Sequence, residues 1–483
     1  MSADILSQIK DLRKVKWLDL SGLVACVTTR LSKSSCTSIS LLGRGSYNTV
    51  YKLTFSDSSS YAVSIPNDDE EDFVPAAKHS EIATISFIRN SGLYPEIPVP
   101  QVYSWDLTFT NLAGAPYVVM DYINGIQLNE MEQGNGALRG LDAMSPIEQL
   151  SVVNGLAKLQ ASLSKPVPFD QIGSLTWDND GSVVVGEFVT ITGVLLGGPY
   201  KSVSQLWRTL LERQVQHALE EWHSLETEQL SRSLSEPRAT PQQFSQLLQL
   251  LSALIPYFIP PSLYSVLVLH HPDISLCNIL FDPEDHSRMI GILDWGGAQI
   301  LPLMLTAQFP DDLNSEGDDP CTRPGYPDEG WRTVPHDWTS FGDSSKWQPV
   351  YKSETETVDL SIRAGAMVKR YYLRQYFGAS YAEQIAEMHQ DCDLARATLF
   401  ADAPYYIKFH EVLTRGWIGW IEHEAWIKET YWRLRALGPK PGVVVVGPNT
   451  YRGSAEELAC DLNICEPPVP DERQEHEGSD RDS

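Results

Sequence analysis

Between 38 and 65, apolar and polar positions alternate in short runs, 38–42, 49–55 and 61–65, divided first by a glycine turn and then by a Ser/Asp turn. Period-two runs bounded by turn residues predict three antiparallel strands. A charged loop at 68–72 comes next, and within 78–90 the residues Ile82, Ile85 and Ile88 recur at helical spacing before Gly92 marks a stop. Stretches 102–105 and 116–120 predict two more strands. The remainder of the chain is mostly helical in period. There, 204–220 and 242–255 are amphipathic, and Leu413, Trp417, Trp420, Ile421, Ile427, Tyr431 and Leu434 mark one face of what reads as a single long helix. Large aromatics anchor cores more often than they line ligand boxes, so these tryptophans are expected in the core.

This order of elements predicts an α+β, two-lobed chain. A helical extension covers 1–36, and a small lobe with a five-stranded antiparallel sheet and a glycine loop covers 37–120. A joint lies at 121–125, and a larger, mainly helical lobe runs over 126–465. The closing stretch, 466–483, holds seven acids, two arginines and three prolines. It has too little to bury for an ordered fold, and disorder is expected there.

Charge then narrows the partners. Against 37 Lys and Arg stand 63 Asp and Glu, a formal net charge of −26. A surface this acidic repels phosphate backbones and anionic headgroups, so neither nucleic acid nor membrane is expected as a partner, while cationic small molecules are favoured. The most apolar stretch, 247–269, is interrupted by Gln249, Pro256, Pro260 and Pro261. It falls short of the roughly 20 apolar residues that a spanning helix needs. Seven scattered cysteines without a C-x-x-C pair suit a reducing compartment. A cytoplasmic location is therefore expected. The cluster Lys10, Arg13, Lys14 and Lys16 keeps a mitochondrial presequence open as the alternative, although Asp4 and Asp11 weigh against it.

The chemistry concentrates in 266–295. An apolar run at 266–270 delivers a polar loop holding Asp273 and Asn278, a second apolar run succeeds it, and a third, after a short turn, ends in Asp294. Any one of these residues alone reads as a turn residue or a helix cap. Three in order, each beside an apolar strand, place carboxylates and an amide at one edge of a buried layer. Phosphoryl transfer needs such a set: a carboxylate beside the attacking hydroxyl and oxygen ligands for a magnesium ion.

The spacing His271-x-Asp273-x-x-x-x-Asn278, with the segment Ile292, Leu293, Asp294, Trp295, resembles the catalytic and metal-binding loops of the aminoglycoside phosphotransferase family, in its fungal-type members, within the protein-kinase-like superfamily. The resemblance covers roughly 40 to 435 and implies a bilobal kinase-like fold. By that resemblance Asp273 orients or deprotonates the acceptor hydroxyl, Asn278 and Asp294 hold Mg2+, and His271 supports the loop. The donor would be ATP or GTP, and the acceptor a hydroxyl of a small molecule, with a cationic acceptor suited to the acids of the larger lobe. Gly43, Gly45, Ser46 and Val50 match the loop that covers the nucleotide, glycine allowing backbone amides to approach phosphate. Taken alone, G-x-G is as often a plain hairpin turn. Asp121 and Ile123 would meet the adenine edge with backbone groups, and Glu81 matches the helix glutamate that kinases pair with a third-strand lysine.

At that third-strand place this chain departs from the family, because Ser64 stands where a lysine or arginine is usual. A serine cannot neutralise phosphates. Lys52 is the nearest substitute along the sheet, sharing the inward face with Val50, though further from the loop tip. Two function classes are open: a small-molecule phosphotransferase of reduced power, or an inactive nucleotide-binding or scaffold relative. A protein kinase would need an A-P-E-like segment after Asp294, and none is present. The acidic stretch 309–330, with seven acids and one arginine, reads as a solvated loop.

Overall fold

The structure is a computed structural model that describes residues 3–12, 15–133, 138–227, 241–314, 357–388 and 399–437. Strands β1 (Cys36–Arg44), β2 (Asn48–Phe55), β3 (Ser60–Pro66), β4 (Val102–Asp106) and β5 (Tyr117–Asp121) form one sheet in the order β1-β2-β3-β5-β4. Every pairing in it is antiparallel. Alternation decides the facing. Along β2, Thr49, Tyr51, Leu53 and Phe55 are buried while the residues between them are only partly covered.

The buried face is closed by the first two helices, α1 (Ala3–Asp11) and α2 (Leu20–Arg30). Leu20, Leu23, Val24 and Val27 share one core with Ile39, Tyr51, Leu53, Phe55, Val63, Ile65 and Val119. Asp19 caps α2 by accepting from the backbone N–H groups of Ser21 and Gly22. The expected helical extension is thus structural material for the small lobe. Helix α3 (Pro75–Asn90) begins three residues earlier than periodicity predicts, because Pro75 sits comfortably in a first turn where its missing N–H costs nothing.

In the larger lobe, α4 (Pro146–Leu163) starts with a reciprocal capping box between Ser145 and Glu148 and packs on the helix Thr357–Met388. Two short antiparallel ribbons carry the residues singled out for chemistry. Leu267–His270 pairs with Gln299–Pro302, and Ile279–Phe281 pairs with Met289–Ile292.

The chain divides into two compact units, Met1–Leu206 with Pro260–Thr414, and Trp207–Ile259 with Arg415–Ser483. The sheet and both ribbons belong to the first. In the second, the helix Pro241–Phe258 packs with the helix Glu424–Leu437, and Trp420, fully buried, stacks on Phe244. The single long helix expected through 413–434 is instead three: Leu399–Thr414, Gly416–Glu422 and Glu424–Leu437. The backbone breaks at Gly416 (φ +69°) and again at His423, while the apolar period runs on across both breaks. The tail 466–483, expected to be disordered, lies outside the described residues, as does 315–330 of the acidic stretch. Among the described residues no helix is long and apolar enough to cross a membrane.

Candidate active site

The strand Leu267–His270 hands the chain to a loop whose shape is fixed from below by His271. That imidazole is buried, and its Nδ1 accepts the backbone N–H of Asp273 at 3.1 Å. Nε2 must therefore carry the proton, which it donates to the carbonyl of Leu293 at 3.0 Å. One ring ties the residue at 273 to the residue preceding Asp294. Burial lowers the His271 pKa, so the ring is neutral in this role, and it packs 4.5 Å from Trp295.

Asn278 completes the loop. Its Nδ2 donates to the Asp273 carboxylate at 2.8 Å and to the Asp273 carbonyl at 3.0 Å. Because the amide nitrogen is spent on Asp273, the amide oxygen remains as the acceptor side of Asn278. The Asn278 carbonyl in turn accepts the N–H of Leu293 at 2.8 Å. Asp294 then turns out of its strand in the left-handed region, φ +57°, which aspartate tolerates better than most residues. Trp295, fully buried with its Nε1–H on the Ile292 carbonyl, anchors the turn from inside.

Asp294 keeps solvent contact on its cleft side, yet the surrounding protein strips enough hydration to push its carboxyl up to about 6. The negative charges of Glu81 and Asp273 push the same way, and Lys78 opposes them. Those four side chains line one cavity of about 110 Å3, together with Asn48 of β2, Asp68, Asp72 and the loop 190–193. Gly297 (φ +71°) lets that loop in, since a β-carbon there would lie 2.6 Å from the Ile191 backbone.

The cation in this cavity is not where the family pattern places one. Ser64 is buried in β3, opposite Val50 and Val118. Lys52, the substitute nearest in sequence, holds its ammonium 3.7 Å from the Tyr122 ring centroid at the joint. Instead, Lys78 of α3 pairs with Glu81 at 2.6 Å, one turn along the same helix, and donates to Asn48 Oδ1 at 3.1 Å. The Lys–Glu spacing of three was a readable helix-pair signal. What sequence could not show is that this pair faces Asp294.

Gly43, Gly45 and Ser46 lie exposed along the β1–β2 hairpin. A β-carbon at Gly43 would meet nothing within 4 Å, so local packing does not require glycine there. The turn closes with the Gly45 N–H on the Asn48 carbonyl at 2.8 Å. Asn67, which the sequence did not single out, clamps it: Nδ2 donates to the carbonyls of Gly45 and Ser46, and Oδ1 accepts from Thr49 Oγ1. The carboxylate of Asp121 is engaged by the Gln101 N–H and the Tyr103 hydroxyl, and Ile123 comes next in the joint. Gly43, Gly45, Ser46, Val50, Asp121, Ile123 and Asn278 do not line the 110 Å3 cavity, whereas Glu81, Asp273 and Asp294 do.

One part of the acidic stretch departs from a solvated loop. Asp312 accepts the Leu276 N–H at 2.7 Å, inside the loop that carries Asp273 and Asn278. Burial raises the Asp312 pKa, and burial, with the charge of Asp273 added, raises that of Asp311.

The donor set suits a cation shared with a ligand. Magnesium usually takes one or two carboxylates and completes its octahedron with phosphate and water oxygens. Asp294, with the Asn278 amide oxygen left free by the bonds to Asp273, would supply such a partial set. Among the described residues no cluster of three or more His, Cys, Asp or Glu could hold a metal unaided.

A five-stranded antiparallel lobe beside a helical lobe, with Asp273, Asn278 and Asp294 gathered at the ends of two ribbons, is a protein-kinase-like arrangement. The chain belongs to the phosphotransferase enzyme family APH, whose model matches residues 38–304, more than half of its length. A subtelomeric hrmA-associated cluster protein of Aspergillus fumigatus is 25% identical over 358 residues, covering 62% of this chain and 65% of that protein's length. The mitochondrial "altered inheritance of mitochondria protein 9" of Clavispora lusitaniae is 31% identical over 147 residues, 30% of this chain and 23% of its own. Among solved structures, a thermostable mutant of aminoglycoside phosphotransferase APH(4)-Ia with ADP and hygromycin B is 13% identical, with coverage of 82% and 98% and a TM-score of 0.38.

Proposed function

We propose that this chain transfers a phosphoryl group from a nucleoside triphosphate, ATP or GTP, to a hydroxyl of a small molecule. One observation carries the reading: Asp273 and Asp294 line one cavity, and Asn278 ties their two loops together, its Nδ2 2.8 Å from the Asp273 carboxylate and its carbonyl 2.8 Å from the N–H of Leu293, the residue before Asp294. Asp294 and the Asn278 amide oxygen would hold the metal, and Asp273 would accept the proton of the attacking hydroxyl. Magnesium nucleotide, when bound, supplies the phosphoryl group and neutralises charge that develops on its oxygens. His271 and Asp312 act on the loop rather than on the acceptor, fixing the backbone on either side of Asp273. Asp311 and Asp273 both line a second, smaller cavity, where an acceptor amine would find carboxylates as partners.

The test is label transfer from γ-phosphate-labelled ATP and GTP to a panel of cationic and neutral hydroxyl compounds. Asp273→Asn lowers turnover about a hundredfold or more, the usual worth of a positioned base, while magnesium-nucleotide affinity stays within a few-fold. Ser64 favours a second reading, a nucleotide-binding scaffold. That reading predicts binding without turnover in both proteins.

A further inference from the structure

We propose that Lys78 is the phosphate-neutralising cation of this site, delivered from α3 instead of from the strand position that Ser64 occupies. The inference rests on the phosphotransferase reading and specifies how its nucleotide is held.

Charge is the first argument. The cavity lining contains the carboxylates Asp68, Asp72, Glu81, Asp273 and Asp294, and Lys78 is its one basic side chain among the described residues. A polyphosphate entering such a cleft meets repulsion that a magnesium ion relieves only in part. A second positive charge must stand close to the metal site. Lys78 does so, since it lines the same cavity as Asp294.

Geometry is the second. The Lys78 and Glu81 side chains are only 11% and 13% exposed, so the pair is held inside the cavity wall and not on a screened surface. Glu81 takes one of the three ammonium hydrogens and Asn48 Oδ1 another. Asn48 begins β2 directly after the glycine hairpin, so the amine sits at the junction of hairpin, helix and metal loop. Competing cations are placed elsewhere. Lys52 lies over Tyr122, and Arg44, although on the hairpin, does not line the cavity.

A helix lysine paired three residues along its own helix also fits the departure at Ser64. In the strand arrangement, the Lys–Glu contact is made between two elements and reports that the helix is docked. Here both partners ride on α3, and Asn48 supplies the bridge to the sheet. The cation is therefore tied to the sheet through a neutral amide at the start of β2.

Titration calorimetry with magnesium-ATP and with adenosine separates this role from a strut. Lys78→Met should weaken magnesium-ATP about tenfold or more, the worth of a charge-assisted contact, and leave adenosine within twofold. Lys78→Arg should retain most of the affinity. Equal magnesium-ATP affinity in Lys78→Met, or equal weakening of ATP and adenosine, overturns the proposal. Should Lys78→Met not fold, unmodified protein is treated with an acyl-phosphate derivative of ATP, whose acyl carbonyl is attacked by a nearby lysine amine; an amide forms and ATP leaves. Mass spectrometry should find the acyl group on Lys78. Its appearance on Lys52 instead, or on no lysine of the cavity, overturns the proposal. If unmodified protein binds neither ligand, the phosphotransferase reading falls as well, whereas binding that ignores Lys78 removes this inference alone.

Discussion

His270 shows how much a single buried side chain can dictate. It pairs with Gln299 across the ribbon that leads into the loop of Asp273 and Asn278, and burial, together with the charge that His271 and His410 would add, drives its pKa down to about 3. Unfolded, the ring would titrate near 6.5. The unfolded chain therefore binds this proton first, and stability is lost as pH falls from 6.5 toward 3. At about 1.4 kcal/mol per pH unit, His270 alone removes roughly 2 kcal/mol by pH 5. Denaturant unfolding at pH 7.5 and pH 5 should show a smaller loss in His270→Gln than in unmodified protein. Parallel losses would mean that the fold does not depress the pKa of this ring. His271, bonded at both nitrogens, titrates in the same direction, which makes the comparison of variants more informative than either curve alone.

At the scale of elements, the five strands, α3 and its stop before Gly92 were legible because each is a local pattern of alternation, period and turn residues. The residues at 273, 278 and 294 could be singled out because their spacing is local too, and the structure bonds Asn278 to Asp273 and sets Asp273 and Asp294 on one cavity. What lay hidden depends on contacts across space. The break at Gly416 leaves the apolar period intact, so the period could not reveal it. Asn67 looks like any residue after a strand, yet it bonds Gly45, Ser46 and Thr49 on the far side of the hairpin. Asn67→Ala removes these bonds, and because the Gly45 and Ser46 carbonyls are exposed and open to water the cost is about 0.5–1.5 kcal/mol. Hydrogen exchange at 45–48 should quicken in that variant and magnesium-nucleotide affinity should fall. Unchanged exchange would show that the turn holds itself.

For the molecule as a whole, the acidic balance and the site belong to one electrostatic design. A net charge of −26 makes the surroundings hostile to free polyphosphate, and the cavity repeats that bias with its own carboxylates. Entry of a nucleotide then depends on the cations that accompany or await it. Under the proposed function, in which Asp273, Asn278 and Asp294 would together grip a metal-bound polyphosphate, magnesium dependence is the sharpest property expected. The deciding measurement is calorimetric titration of ATP with and without magnesium, in unmodified protein and in Asp294→Asn. Binding that requires magnesium in the first and loses that requirement, with most of its affinity, in the second is the predicted result. ATP affinity indifferent to magnesium, or unaltered by the substitution, would contradict it.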